Sequence, residues 1–166
     1  MADFQLPSEF AELPTIHSTI LNRGLSESLK GDYDRAKAQM SERLQMMIED
    51  GLRIENGTYE KQRSFAEKCR ASINSVLTNV DALLCPSTPG EAPAGMATGN
   101  PIFQVVWTLL GVPRLNIPVG FGPNGLPVGV QLVGKRHRDA DLLGLGRHLA
   151  QRLSCANMVS AVHPWA

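Results

Sequence analysis

Serine and lysine pairs are the residues of this sequence that could support nucleophilic chemistry. The segment Gly24-Leu25-Ser26-Glu27-Ser28 is the nearest match to a G-x-S-x-G nucleophile elbow, but it lacks the second glycine and has helical periodicity. Ser26 with Lys30, and Ser64 with Lys68, stand four residues apart and could meet on a helix. A catalytic Ser–Lys pair also needs a desolvated lysine and oxyanion donors. We therefore interpret both pairs as solvated polar side chains on exposed helix faces.

A glycine-rich segment is the second candidate for chemistry. Residues 120–125 read GFGPNG, a literal match to G-x-G-x-x-G, and they follow an apolar run as a dinucleotide-binding turn would. Phosphate binding would require a helix N-terminus directly afterwards. Here Asn124-Gly125 leads through Leu126-Pro127 into another apolar run, which is typical of a hairpin turn. We therefore expect a hairpin and predict no cofactor.

The histidines and cysteines do not have the spacing of a metal site. The four histidines form no H-E-x-x-H or other paired pattern. Cys69, Cys85 and Cys155 are odd in number and widely spaced, which favours reduced thiols in a cytoplasm over disulfides or zinc. We interpret Cys85 as a small core residue, and Trp107 as a core residue in preference to a substrate platform. The sequence thus contains no catalytic constellation, and we predict no catalytic residue and no metal.

Composition excludes two classes of partner. The 16 basic and 16 acidic residues balance, and the densest positive spot is only Arg136-His137-Arg138, so we predict no nucleic-acid binding. No apolar run reaches membrane-spanning length, and the acidic N-terminus has no signal-peptide character, so we predict a cytoplasmic protein without a membrane segment. At 43% apolar and 19% charged residues, the chain is expected to be globular.

The first half of the sequence has helical periodicity. A segment after Pro14 keeps roughly helical spacing, which Gly24 weakens. A second helix is expected to place apolar residues on one face, namely Ala36, Met40, Leu44, Met47 and Ile48. Gly51 should end that helix in the left-handed conformation, with Leu52 folding back. A third helix is expected after the turn Asn56-Gly57-Thr58, with the apolar positions Phe65, Cys69, Ile73, Val76 and Val80.

The second half changes to strand periodicity. Residues 81–85 form a short apolar run before Pro86, which predicts a strand buried on both faces. After an ordered loop, Asn100 should cap a helix that has Pro101 at its first position and ends at Gly111. Two further strands are expected at 115–119 and 128–133. A last helix is expected after Asp139 and Asp141, with an apolar face of Leu142, Leu145, Leu149 and Leu153.

These elements predict a single α/β domain over residues 1–166. We expect N-terminal helices over about 8–80, a sheet-forming part over about 81–153, and a tail over 154–166. The sheet should be mixed and flanked by helices.

Three motifs in this order resemble the amidase-signature family. They are DALLCPSTP at 81–89, WTLLGVP at 107–113 and GLPVGVQLVG at 125–134, within a likeness that runs from about Leu6 to Leu153. The chain is similar to the C-terminal half of that family's fold, a mixed sheet sandwiched by helices. Complete members hydrolyse carboxamides through a Ser–cis-Ser–Lys triad, and the resemblance places that triad upstream of Met1.

The resemblance also implies candidate substrate contacts. In complete members, the loop after the Pro86 strand and the helix ending at Gly111 help to wall the acyl pocket, so it implies substrate-binding roles for Asn100, Trp107 and Thr108. The alternative for these residues is helix capping and core packing. Asn100-Pro101 and Trp107-Thr108 look more like general amidases or ureido-amide hydrolases than like subunits that amidate misacylated tRNA. Those subunits tend to carry an acid near the helix start and Asn where Thr108 stands.

Three functional hypotheses follow. The chain is the C-terminal portion of an amidase and inactive alone, or a catalytically dead interaction module, or an autonomous hydrolase with new catalytic residues. The last has no constellation to support it. Because the family's sheet continues through both halves, the expected partner is the missing N-terminal half, or a second copy of the chain through self-association. A small amide would be the substrate only of the complete enzyme.

Overall fold

A computed structural model describes residues 2–153 of the chain. Within these residues, Ser8–Ala71 form one compact unit and the remainder form a second. The first unit contains α1 (Leu13–Ala36) and α2 (Glu42–Arg53), and α3 spans Asn56–Val76. No helix within the described range is long and apolar enough to cross a membrane.

The helical conformation is interrupted between α1 and α2, where the sequence predicted one helix with a continuous apolar face over residues 36–48. Lys37–Gln39 form a short 3-10 turn, and Ser41 then takes an extended conformation. The Ser41 side chain accepts a hydrogen bond from the Leu44 amide at 3.4 Å, so it starts a new helix as its N-cap. A local capping residue therefore overrides the apolar periodicity. Gly24, which weakened the prediction for the first segment, lies within an uninterrupted α1.

Gly51 does not end α2, contrary to the prediction. The helix continues to Arg53, and Leu52 remains 44% exposed. Gly51 is buried where α2 crosses α1, and a Cβ atom there would stand 2.6 Å from the backbone carbon of Asn22. The glycine therefore permits two helix backbones to approach closely, a role that only tertiary packing reveals. The turn expected at Asn56-Gly57-Thr58 is also absent, because α3 begins at Asn56 itself.

Three antiparallel strands form the sheet of the second unit. They are β1 (Leu83–Pro86), β2 (Arg114–Phe121) and β3 (Pro127–Val133), in the order β1-β3-β2. The register pairs Leu132 of β3 with both Leu84 and Leu115. β1 was expected to be buried on both faces, but it is an edge strand and Leu84 is 38% exposed. Gly125 has a φ of 78° in the β2–β3 turn, so the glycine-rich segment is the hairpin that the sequence predicted.

Helices pack on both faces of this sheet. On one face, α5 (Asp139–Arg152) buries Leu142 against Ile117 and Leu132, and Leu145 and Leu149 pack on that core. Leu153 of its predicted apolar face is 43% exposed. On the other face lies α4 (Ile102–Leu110), which ends at Gly111 with a left-handed φ of 64°, as predicted. The α/β class is confirmed, but the sheet of the described residues is antiparallel, not mixed as expected. The predicted tail at 154–166 lies outside the described residues.

Candidate functional site

A polar cleft of about 420 Å³ opens where β1 ends, between α4 and the sheet. It lies within the second unit. Its lining is neutral except for one arginine, and comprises Ser87, Thr88, Gln104, Arg114, Asn116, Pro127, Gly129 and Gln131. The cleft can therefore offer hydrogen bonds and one positive charge to a ligand.

Gln131 fixes the floor of the cleft. Its side chain is 2% exposed, and Nε2 donates to the Pro86 carbonyl at 3.1 Å and to the Phe103 carbonyl at 2.7 Å. One buried amide thus joins β3 to the end of β1 and to α4. Because a buried polar group without partners is costly, these bonds determine where Gln131 and both segments sit.

Gln104 connects α4 to both neighbouring strands. Its Nε2 donates to the Ser87 carbonyl at 2.6 Å. Its backbone oxygen and Oε1 accept hydrogen bonds from Nη1 of Arg114, at 3.1 Å and 2.6 Å. Each polar atom of the Gln104 amide therefore has a partner, and the Arg114 guanidinium is held in place by two acceptors.

Ser87 and Asn116 form the opposite wall. The Ser87 hydroxyl donates to Asn116 Oδ1, and the Ser87 amide donates to the Gly129 carbonyl at 3.1 Å. A Cβ at position 129 would lie 2.6 Å from Asn116 Oδ1 and 3.0 Å from the Ile117 carbonyl. Gly129 therefore leaves the room that the Asn116 side chain occupies.

The carboxylate of Glu91 anchors the loop between β1 and α4. Both oxygens of Glu91 accept from the Asn124 amide, Oε2 also accepts from Asn124 Nδ2 at 2.6 Å, and Oε1 accepts from the Leu126 amide at 2.9 Å. Partial desolvation acts to raise the pKa of Glu91, but the hydrogen bonds from Leu126 and Asn124 together hold that pKa below its ordinary value. The loop is thus tied to the β2–β3 hairpin by an ionised side chain.

The three substrate contacts implied by the resemblance lie on α4 or just before it, but not together in the cleft. Asn100 Oδ1 accepts from the Ile102 amide at 3.0 Å. The sequence predicted Asn100 as the N-cap and Pro101 as the first helical residue, but Pro101 is the N-cap and α4 begins at Ile102, one residue later. Trp107 is 7% exposed, which fits its interpretation as a core residue. Thr108 donates to the Gln104 carbonyl at 3.0 Å, one helical turn beyond the cleft. Their roles toward a substrate stay predictions.

The sequence analysis named none of the residues that line the cleft as site residues, although Ser87, Thr88 and Gln131 stand within its motifs. Gln104 and Arg114 belong to no recognisable motif, and their partners come from distant segments. Gln131 carried a usable signal, because it is a lone polar side chain in the apolar strand VGVQLV. A polar residue in a buried strand requires partners, which marks it as a structural or binding residue.

Neither serine–lysine pair forms a catalytic arrangement. Ser26 was expected on an exposed face but is 1% exposed, and its hydroxyl donates to the Arg23 carbonyl at 2.8 Å. Lys30 is exposed and pairs with Asp34 at 2.9 Å, so it is neither desolvated nor free to act as a base. Ser64 and Lys68 are exposed, as predicted.

Cys85 does not have the features of a nucleophile. Burial raises the pKa of its thiol, and this effect outweighs the hydrogen bonds with Gln131 and Trp107 that lower it. The thiol therefore stays protonated at neutral pH and is unreactive. Among residues 2–153, no group of three or more His, Cys, Asp or Glu side chains could hold a metal ion.

A family model matches most of this fold. The family is described as Amidase, and it matches residues 12–143. The chain belongs to the amidase family. The A subunit of glutamyl-tRNA(Gln) amidotransferase from Hahella chejuensis is 42% identical over 102 residues, which is 54% of this chain and 21% of that protein. The corresponding Pelagibacter ubique protein is 28% identical over 152 residues, which is 83% of this chain and 31% of that protein.

Solved amidase structures share the fold of this amidase-family chain. A crystal structure of an amidase has a TM-score of 0.76 at 23% identity and covers 87% of this chain and 36% of its own. A bacterial aryl acylamidase of the amidase-signature family has a TM-score of 0.66 at 18% identity, covering 99% of this chain and 39% of its own. The chain therefore spans about a fifth to two fifths of the proteins that it matches.

The comparisons include subunits that amidate tRNA, the class that the sequence analysis expected to resemble this chain less than general amidases do. The relatives from Hahella chejuensis and Pelagibacter ubique are both A subunits of glutamyl-tRNA(Gln) amidotransferases. The assignment to general amidases stays a prediction.

Proposed function

We propose that this chain is the C-terminal portion of an amidase that hydrolyses carboxamide C–N bonds to a carboxylate and ammonia or an amine. The observation that carries this proposal is the family match over residues 12–143, joined to the small share of each relative that the chain covers. The Ser–cis-Ser–Lys triad of the family is assigned to another part of the complete protein. On this proposal, the chain is inactive alone.

The chemistry of the cleft supports a binding role in preference to catalysis. Ser87 carries a hydroxyl group in the cleft lining, but the oxygen that accepts its hydrogen bond belongs to the Asn116 amide. An amide oxygen is too weak a base to activate a serine, and nucleophilic catalysis needs a base with a pKa near the working pH. The cleft is therefore proposed as part of the wall that holds the substrate, together with Trp107 and Thr108 on α4 and Asn100 just before it.

A partner surface is the second part of the proposal. β1 and β2 are edge strands, and Leu84 and Phe121 on them are 38% and 48% exposed. Unpaired edges with apolar side chains favour pairing with another segment. We propose that the remaining part of the amidase fold covers them in the complete protein, and that the isolated chain self-associates in its absence. We also propose a cytoplasmic location, consistent with the absence of a spanning helix within residues 2–153.

The test begins with the coding sequence upstream of the Met1 codon. We expect it to encode a lysine and, further on, a Gly/Ser-rich segment with the two catalytic serines. The complete polypeptide and the 166-residue chain would then be assayed for ammonia or amine release from a panel of aliphatic and aromatic carboxamides. Activity of the complete polypeptide alone would support the proposal.

Two outcomes would contradict it. Amide hydrolysis by the isolated chain would mean that catalytic residues lie within it, as an autonomous hydrolase requires. Upstream sequence unrelated to amidases, together with an inactive chain that forms a discrete oligomer by light scattering, would favour a catalytically dead interaction module.

A further inference from the structure

We propose that the cleft at the end of β1 binds a carboxylate group, with Arg114 and Asn116 as its donors. This names the ligand class of the candidate site. The identification of the ligand as an amidase substrate rests on the proposed function. The binding of a carboxylate does not, because it can be measured without turnover.

The charge of the cleft selects an anion. Arg114 is the charged residue in its lining, and that lining includes no aspartate or glutamate. Arg114 forms no salt bridge with any described residue, and its acceptors are the two neutral oxygens of Gln104. A guanidinium is always protonated, so the cleft carries an uncompensated positive charge that a ligand can neutralise.

The donors that remain free in the cleft favour a ligand that accepts hydrogen bonds. Asn116 Oδ1 already accepts from Ser87, which leaves the Nδ2 donors of this amide for a ligand. Arg114 uses Nη1 for Gln104, so its Nε and Nη2 donors have no acceptor among the residues described. Donors without acceptors on two side chains of the same strand match a carboxylate, which accepts several hydrogen bonds and pairs with arginine in a bidentate geometry.

The positions of these two donors are fixed before a ligand arrives. Arg114 and Asn116 stand two residues apart on β2, on the sheet face that carries Gln131. Gln104 holds the guanidinium and is itself held by the Ser87 carbonyl, while Gly129 leaves space for the Asn116 side chain. Such preorganisation lowers the entropy cost of binding.

A second cationic cleft is less suited to an anion. It has a volume of about 650 Å³ and is lined by Lys135, Arg136 and Arg138, but also by Asp81 and Asp141. Arg138 already pairs with Asp141. An incoming anion would meet two carboxylates there, whereas it would meet none beside Arg114.

The experiment is a titration of the 166-residue chain by NMR, with the Asn116 side-chain amide and the Arg114 Nε–H as reporters. The probe is acetate, the neutral isostere acetamide is the control ligand, and chloride keeps the ionic strength constant. We expect saturable shifts of both reporters with acetate and none with acetamide. The variant Arg114→Gln should weaken acetate binding at least about tenfold, since hydrogen bonds to a charged group are the strong ones. Arg138→Gln removes an exposed arginine outside the cleft and should bind as the parent chain does.

Three results would overturn the proposal. These are equal shifts with acetate and acetamide, acetate binding that survives Arg114→Gln, and equal losses in Arg114→Gln and Arg138→Gln. Backbone spectra of both variants would show that they remain folded. Acetate binding that persists while the complete polypeptide hydrolyses no amide would refute the proposed function and leave this site standing.

Discussion

Replacing Gly51 with alanine tests the close approach of α1 and α2. The added Cβ would lie 2.6 Å from the backbone carbon of Asn22 and 2.8 Å from the Cβ of Ser26. Ordinary carbon contacts begin at 3.4 Å, so the two helices must separate by roughly 1 Å where they cross. Backbone atoms and a buried Cβ cannot rotate away as a long flexible side chain can.

Two opposing effects set the size of the change. Alanine has the higher helix propensity and favours the variant by up to about 1 kcal/mol. Overpacking a well-packed interface costs about 1–3 kcal/mol, and the upper end applies here because the separation also loosens Ile48, which is 0% exposed. We therefore expect Gly51→Ala to lower the free energy of unfolding by about 2 kcal/mol.

Gly31→Ala is the matched control, because Gly31 lies in α1 and a Cβ there meets nothing within 4 Å. Only the propensity gain remains, so this variant should be more stable than the parent by about 0.5–1 kcal/mol. Urea unfolding followed by far-ultraviolet circular dichroism would measure both. With a typical slope of about 2 kcal/mol per molar urea, the Gly51→Ala midpoint falls by about 1 M and the Gly31→Ala midpoint rises slightly. Equal or higher stability of Gly51→Ala would refute the close approach of the two helices.

Two further predictions concern the cleft and its loop. Gln131→Leu should lower the free energy of unfolding by about 1–3 kcal/mol, because the Pro86 and Phe103 carbonyls lose a buried donor. Urea unfolding would measure this. The control variant Gln151→Leu, at an exposed position, should change the free energy of unfolding little. Glu91 has a lowered pKa, so its stabilisation is present above the ordinary glutamate pKa and is lost as the pH falls through its folded pKa. The stability difference between the parent and Glu91→Gln should thus be constant at neutral pH and vanish once the pH falls below the lowered pKa of Glu91 in the folded chain. A difference independent of pH would contradict the ionised anchor.

Local signals in the sequence predicted the elements whose geometry is decided locally. Asn100 before Pro101 marked the start of α4 to within one residue, and Gly111 marked its left-handed end. Asn124-Gly125 marked the hairpin for the same reason, since a residue with positive φ is required in that turn. In these places a single residue type satisfies a constraint set by its neighbours in the chain.

The failures arise where tertiary packing decides. Gly51 has the same identity as Gly111, yet it sits inside a helix because α1 passes against it. The candidate site shows the same limit, because Arg114 and Gln104 become partners only when β2 lies beside α4. Neither residue stands at a spacing that indicates chemistry, whereas the serine–lysine pairs with suggestive spacing are a buried structural serine and solvated lysines.

The central place of β3 determines when this sheet can be made. Among the strands of residues 2–153, β1 and β2 do not pair with each other, and the hydrogen-bonding partner of each is β3, the last of the three in chain order. During synthesis, β1 therefore emerges from the ribosome long before β3, the strand with which it pairs. Leu83, for example, cannot pair with Val133 until that residue has been made. Such nonlocal pairing slows folding and leaves apolar strand segments exposed while the chain grows. A nascent chain halted before Pro127 would hold both outer strands and no sheet.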